Sequence, residues 1–166
     1  MASNHTDLPR DWVRDFMSLT EGGRADRYEI STDQDRLDVT AIHAYLVRSY
    51  WSPQIPRATV ERAIRHSLCF GVYDKASGAQ VGFTRVVTDH ATFAYLCDVY
   101  VLEPHRGHGL GKRMMQEVMG HAALTGARRI MLATRDAHGL YRQSGFVEAG
   151  HAGNLMEIVR PDIYAA

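Results

Sequence analysis

The chain has 166 residues, 45% of them hydrophobic and 23% charged, which is the size and make-up of one packed domain and excludes two full domains or a disordered chain. Its 19 lysines and arginines balance 19 aspartates and glutamates, and a net charge of zero argues against a protein that coats nucleic acid or an anionic membrane. Two cysteines, Cys69 and Cys97, are too few for a disulfide framework or a cysteine zinc site, and read as free thiols of a cytoplasmic protein.

Residues 1–15 are polar and acidic, unlike a secretory signal, and no apolar run approaches the roughly 20 residues of a membrane span. Asp11 to Leu19 reads as a short helix ended by Glu21-Gly22-Gly23, so residues 1–27 form an arm or appended helix ahead of a domain at 28–166. Tyr28 to Thr32 is a short strand. Leu37 to Tyr50 follows with Val39, Ile42, Leu46 and Val47 at the spacing of one buried helical face. Trp51 to Pro56 is a turn-rich connector, and a second helix starts near Pro56 and runs to His66.

The period then changes to that of strands: Ser67 to Tyr73, a hairpin turn at Asp74 to Gly78, the return strand Gln80 to Thr88, and a long strand Thr92 to Leu102. A glycine-rich turn, Arg106 to Gly111, opens a helix with Leu110, Met114, Val118 and Ala122 on one face. Arg129 to Thr134 is a strand and Asp136 to Gln143 a short helix stopped by Ser144-Gly145. Phe146 to Ala149 and Asn154 to Arg160 read as two final strands. The result is a mixed α/β domain.

The strand, glycine turn and helix around Arg106 to Lys112 carry the chemistry. Glycines allow positive φ and close approach of a ligand, and the free N–H groups of a helix start favour a pyrophosphate. A triphosphate-binding loop fits badly, because Gly107 to Gly111-Lys112 is one residue short and Arg113 replaces the hydroxyl that would hold magnesium. A dinucleotide fingerprint fits badly too, because Met114 stands where its third glycine belongs.

Three pieces in order fit better: the strand Asp98-Val99-Tyr100-Val101, the turn Arg106 to Lys112, and the segment Ala137-His138-Gly139-Leu140-Tyr141 to Gly145-Phe146. On these residues the sequence resembles the GNAT N-acetyltransferase superfamily over about Tyr28 to Arg160. The resemblance implies a mixed, mostly antiparallel central sheet flanked by helices, and acetyl-CoA as donor. It implies that the backbone of Val99, Tyr100 and Val101 meets the pantetheine arm. The turn of Arg106, Gly107, His108, Gly109, Leu110, Gly111 and Lys112 would hold the pyrophosphate. The strand at Val99 would splay from the strand at Arg129 to Thr134. Thr134 departs from the pattern, since many relatives carry asparagine there.

The implied reaction is direct attack of a primary amine, on a small molecule or a peptide, on the thioester. Tyr141 is the general acid by its place in the motif, and the N–H of Val99 or Tyr100 stabilises the oxyanion. Making a lysine-like amine neutral at pH 7 costs about 4–5 kcal/mol. Strand alternation puts Tyr95, Cys97 and Val99 on one face and Asp98 on the other, so proton removal through water is expected, with Asp98 anchoring a nearby loop; a bulge that shifts the alternation would make Asp98 the alternative base. Trp51 and Tyr95 are candidate acceptor-site residues, and a core or dimer anchor is an equal reading of Tyr50-Trp51. His105 and His108 lack a third ligand, so no metal is expected, and Met114, Met115 and Met119 read as core. Cys97 lacks a His/Asn set and does not read as a nucleophile. The alternative to an enzyme is a catalytically silent acyl-CoA-binding module. From His105 to Gly145 there are seven basic side chains against two acidic ones, a local excess of +5 where an anionic cofactor would lie. Acceptor choice falls to the Trp51 connector, the N-terminal arm or a second subunit of a homodimer.

Overall fold

The computed structural model describes residues 27–165, and the helix expected at Asp11 to Leu19 lies outside the described residues. Five strands form one sheet in sequence order: β1 (Tyr28–Ser31), β2 (Leu68–Asp74), β3 (Gln80–Thr88), β4 (Phe93–Val101) and β5 (Arg129–Leu132). β1 to β4 are an antiparallel meander, and β5 runs parallel to β4. Helices α1 (Val39–Leu46) and α2 (Arg57–Arg65) fall between β1 and β2, α3 (Leu110–Gly120) joins β4 to β5, and α4 (His138–Arg142) follows β5. This is the mixed, mostly antiparallel sheet with flanking helices that the resemblance implies.

Local chemistry explains the boundaries. Asp38 caps α1 by accepting from the Ala41 N–H at 2.9 Å, so the helix starts one residue after it rather than at Leu37. It stops at Leu46, and residues 48–54 are turns. Pro56 stands just ahead of α2, where its missing N–H costs nothing. At the β2–β3 hairpin, the Asp74 carbonyl accepts from Gly78 N–H at 2.7 Å and its carboxylate accepts from Ala76 N–H.

The sheet has an apolar layer on each face. On one, Leu110, Met114, Met115 and Val118 of α3 pack on Phe70, Val72, Val86, Ala94 and Leu96. On the other, Ile42, Leu46, Val60 and Ile64 of α1 and α2 pack on Cys69, Phe83 and Tyr100. Each large apolar side chain so buried contributes about 1.5–3 kcal/mol. Ala122 is a correction: α3 ends at Gly120, and Ala122 is exposed beyond it.

The two last strands expected at Phe146 to Ala149 and Asn154 to Arg160 do not form among the described residues, so β5, like β1, is an edge of the sheet. The chain is drawn into successive tight turns instead. Phe146 N–H returns to the Tyr141 carbonyl, and the N–H groups of Ala152, Asn154 and Leu155 bond three residues back. Met156 (97% exposed) and Ile158 (90%) therefore carry a strand-like pattern with no sheet beneath it.

Candidate active site

β4 deforms where it leaves β5. Its pairing with β5 runs from Phe93–Arg129 to Leu96–Leu132 and ends there, so Cys97 to Val101 have no ladder partner on that side. On the other side the register with β3 slips between Phe83 and Arg85, and Asp98 has φ +57°. Aspartate enters this left-handed region more readily than most residues. The bulge places Cys97 and Asp98 together beside Arg85, while Val99 packs into the α3-side layer. Strict alternation is thereby corrected: Asp98 shares the face of Cys97, and Val99 does not.

Asp98 is 8% exposed and fully engaged. One carboxylate oxygen accepts from Arg85 Nε at 2.6 Å, and the other accepts from the Trp51 indole N–H at 3.2 Å. Burial works against the Arg85 charge, but the neighbouring Asp98 carboxylate outweighs it and holds the guanidinium above its ordinary pKa. Asp98 thus anchors the Trp51 connector, as one reading of the sequence expects.

At the end of β4, Arg106 donates from Nε to the Val101 carbonyl at 2.9 Å, so it ties the turn to the strand. Gly107 (φ +77°) and Gly109 (φ +74°) are both left-handed, and Gly109 is the residue from which α3 begins. The first-turn amides of α3 have no intrahelical partner. His108 Nδ1 lies within hydrogen-bond distance of the carbonyls of His105 and Arg106, and His105 Nδ1 is 3.0 Å from the Tyr28 hydroxyl. Among the described residues, no group of three His, Cys, Asp or Glu side chains is placed to hold a metal ion.

The third piece lies against the first two. A Cβ at Gly111 would stand 3.4 Å from Leu140, so the start of α3 and α4 touch closely. Tyr141 is 8% exposed, meets Phe146 edge-on at 5.9 Å, and shares the apolar layer that Val99 and Val101 join. Burial pushes its phenol up to about 12, with Tyr50 and Asp136 adding to the shift, and its hydroxyl has no partner among the described residues. Thr134 lies past the end of β5 and accepts from the Ala137 N–H at 3.0 Å, so its oxygen organises the approach to α4. A cavity of about 590 Å³ runs along β5 and reaches Thr134 and Tyr141, but not the glycine turn.

The end of α1 and the α1–α2 connector together reach both sides of the splay. Trp51 is bound to the bulge, Tyr45 stacks on Tyr100 at 3.8 Å, and Arg135, three residues past β5, lies 4.0 Å over the Tyr50 ring. Tyr95 lies in the paired half of β4, where burial raises its pKa and Cys97 and Glu157 add to it. Arg85 and the Tyr50–Arg135 contact escape sequence reasoning. An arginine inside the apolar run Val81 to Val87 is the one signal for a buried acidic partner.

Burial pushes both thiols, Cys69 and Cys97, up to about 12. Both are protonated at neutral pH and are expected to react with a disulfide reagent at pH 8 at least about tenfold more slowly than in the urea-unfolded chain. Timed absorbance of the released thiolate checks this, and Cys97 reacting at the unfolded rate would contradict its burial.

A model described as the acetyltransferase (GNAT) family matches residues 29–146. A Gibberella zeae protein provisionally named an acetyltransferase is 38% identical over 135 residues, covering 69% of this chain and 75% of its own. The crystal structure of a provisionally assigned GNAT-family acetyltransferase from Xanthomonas campestris pv. campestris is similar at a TM-score of 0.80 and 48% identity, over 84% of this chain and 97% of that one. A provisionally assigned Clostridium acetobutylicum acetyltransferase solved with acetyl-CoA shares the fold at a TM-score of 0.58 and 14% identity, over 80% and 94% of the two chains.

Proposed function

The chain belongs to the GNAT acetyltransferase family, and from that premise we propose that residues 28–166 move the acetyl group of acetyl-CoA to a primary amine. The observation that carries this reading is the parting of β4 from β5 after Leu96–Leu132, beside both the glycine turn and Tyr141. The residues fit the donor: two left-handed glycines before open helix amides suit a pyrophosphate, and the edge of Val99 to Val101, which no strand pairs on the β5 side and where Arg106 takes the Val101 carbonyl, suits an amide-bearing arm.

When bound, acetyl-CoA supplies a thioester carbonyl as electrophile. The amine nitrogen forms the new bond to carbon as the C–S bond breaks. The amine's proton leaves to water, since Asp98 is already held by Arg85 and Trp51. Backbone N–H groups of Val99 or Tyr100 face the developing oxyanion in this reading. The Tyr141 hydroxyl donates to the departing sulfur. Its pKa of about 12 stands above that of a free thiol near 8.5, so its main contribution is a hydrogen bond, with full transfer favoured as desolvation raises the thiolate. Tyr95 and the Trp51 connector border the acceptor in this reading. Among the described residues, no helix is long and apolar enough to cross a membrane.

The test is thiol release from acetyl-CoA across polyamines, amino acids, aminoglycosides, arylamines and peptides, with CoA-dependent melting alongside. Acetyl-CoA at about 100 times its Kd should add about 2.7 kcal/mol of stability. A Gly109→Val chain, which forces a branched side chain into the left-handed region, should lose that stabilisation. Stabilisation without amine-dependent release would make the chain a silent acyl-CoA-binding module. No stabilisation would end both readings.

A further inference from the structure

Beyond Leu96–Leu132, β4 and β5 are no longer held by their own ladder. Side chains of the α1–α2 connector cross the opening instead. On the β4 side the attachment is rigid: the Trp51 indole N–H bonds Asp98, and Asp98 is bonded by Arg85, whose NH1 also donates to the Ser67 hydroxyl at 3.1 Å. Arg85 of β3, itself braced by Ser67 just ahead of β2, therefore holds the carboxylate of β4 in place. On the β5 side the attachment is open to solvent, with Arg135 over the half-exposed ring of Tyr50. Tyr50 and Trp51 meet edge-on at 4.9 Å, so the two attachments are mechanically one piece.

We propose that Asp98 is a positioning residue rather than the proton acceptor: held by Arg85, it fixes through Trp51 the connector that walls the acceptor side of the cleft. The proposal rests on the reading of that cleft as the transfer site. Three observations converge on it. Both carboxylate oxygens are occupied, by donors from two different elements. The residue type suits the positive φ, so the bulge that ends β4–β5 pairing and the anchor of the connector are the same residue. The connector has no other polar bond to β4 among the described residues, so loss of this one frees its β4 side.

The experiment reads the connector directly. Exposed Arg48 lies three residues before Trp51, and limited trypsin cleavage after it, followed by mass spectrometry under native conditions, reports how often the connector opens. Trp51→Phe removes the indole donor from a half-exposed position and leaves the core intact. It should speed cleavage at Arg48 about tenfold, the loss expected for a hydrogen bond to a charged group. Asp98→Gly keeps the left-handed backbone and removes the carboxylate; it also leaves the buried Arg85 guanidinium unpaired, so it should speed cleavage at least as much. The double variant should be cleaved no faster than Asp98→Gly alone, because Trp51→Phe then has no link left to remove. The melting increment given by acetyl-CoA should be retained in Trp51→Phe, and an Asp98→Asn chain should keep the shape of the pH–rate profile, with the acceptor KM rising more than kcat falls; loss of the limb that reports a general base would make Asp98 the proton acceptor and overturn the proposal. Cleavage of Trp51→Phe at the unsubstituted rate would overturn the proposal even if Asp98→Gly fails to fold, and so would effects that multiply in the double variant. Cleavage needs neither acetyl-CoA nor an amine, so this result stands apart from success or failure of acetyl transfer.

Discussion

A Tyr141→Phe chain is expected to release CoA thiol about a hundredfold more slowly, within the range of a lost general acid. It should bind acetyl-CoA within about threefold of the unsubstituted chain and melt within about 2 °C of it. The asymmetry follows from how Tyr141 is held. Its ring packs in the α3-side layer and against Phe146, contacts that phenylalanine keeps. Its hydroxyl has no partner among the described residues, so removing it breaks no internal bond. With its pKa raised to about 12 by burial, the phenol is protonated throughout the neutral range, so Tyr141 contributes no loss of rate on moderate alkalinisation. Steady-state kinetics with the acceptor found by thiol release, together with CoA-dependent melting, checks all three. Unchanged turnover would remove Tyr141 from the chemistry.

Arg85→Ala should be the most destabilising single change at the site, by about 3–5 kcal/mol, because it strands a buried carboxylate. The Arg85 and Asp98 side chains are 18% and 8% exposed, so water screens the pair poorly. Urea unfolding should show the midpoint fall with little change in slope. Adding Asp98→Asn to Arg85→Ala should recover part of the loss, since a neutral amide costs less to bury than a charge and asparagine tolerates the same φ. A double variant less stable than Arg85→Ala alone would show that the pair is not the source of the effect.

The meander and the glycine turn are legible because each depends on neighbours in sequence. Strand patterns, the Asp74 to Gly78 hairpin and the Pro56 helix start are local, and the structure holds them nearly where the pattern predicts. What escapes is chemistry between distant residues. Trp51 and Asp98 are 47 apart, and only the bulge reveals that Asp98 faces the connector. Alternation alone puts it on the wrong side, since one extra residue in a strand reverses every face beyond it. The tail fails for the opposite reason. Leu155 to Val159 has the composition of a strand, but a strand also needs an edge to pair with, and the turns from Ala149 to Leu155 direct the chain elsewhere.

The parallel pairing of β5 has a consequence for how the molecule assembles. Partners within β2 to β4 lie at most 19 residues apart, whereas Phe93 meets Arg129 across 36 and Tyr28 meets Asp74 across 46. Closing each longer loop costs more chain entropy and is rewarded by only four paired positions. The three strands β2 to β4 are therefore the natural first-formed body, and β1, and β5 with α4, the parts that dock later and open earlier. Glycine turn and Tyr141 stand on opposite sides of that seam. A ligand bound across it would tie the late half to the early one, so amide-exchange protection gained on binding should concentrate in β5 and α4 rather than spread over the sheet.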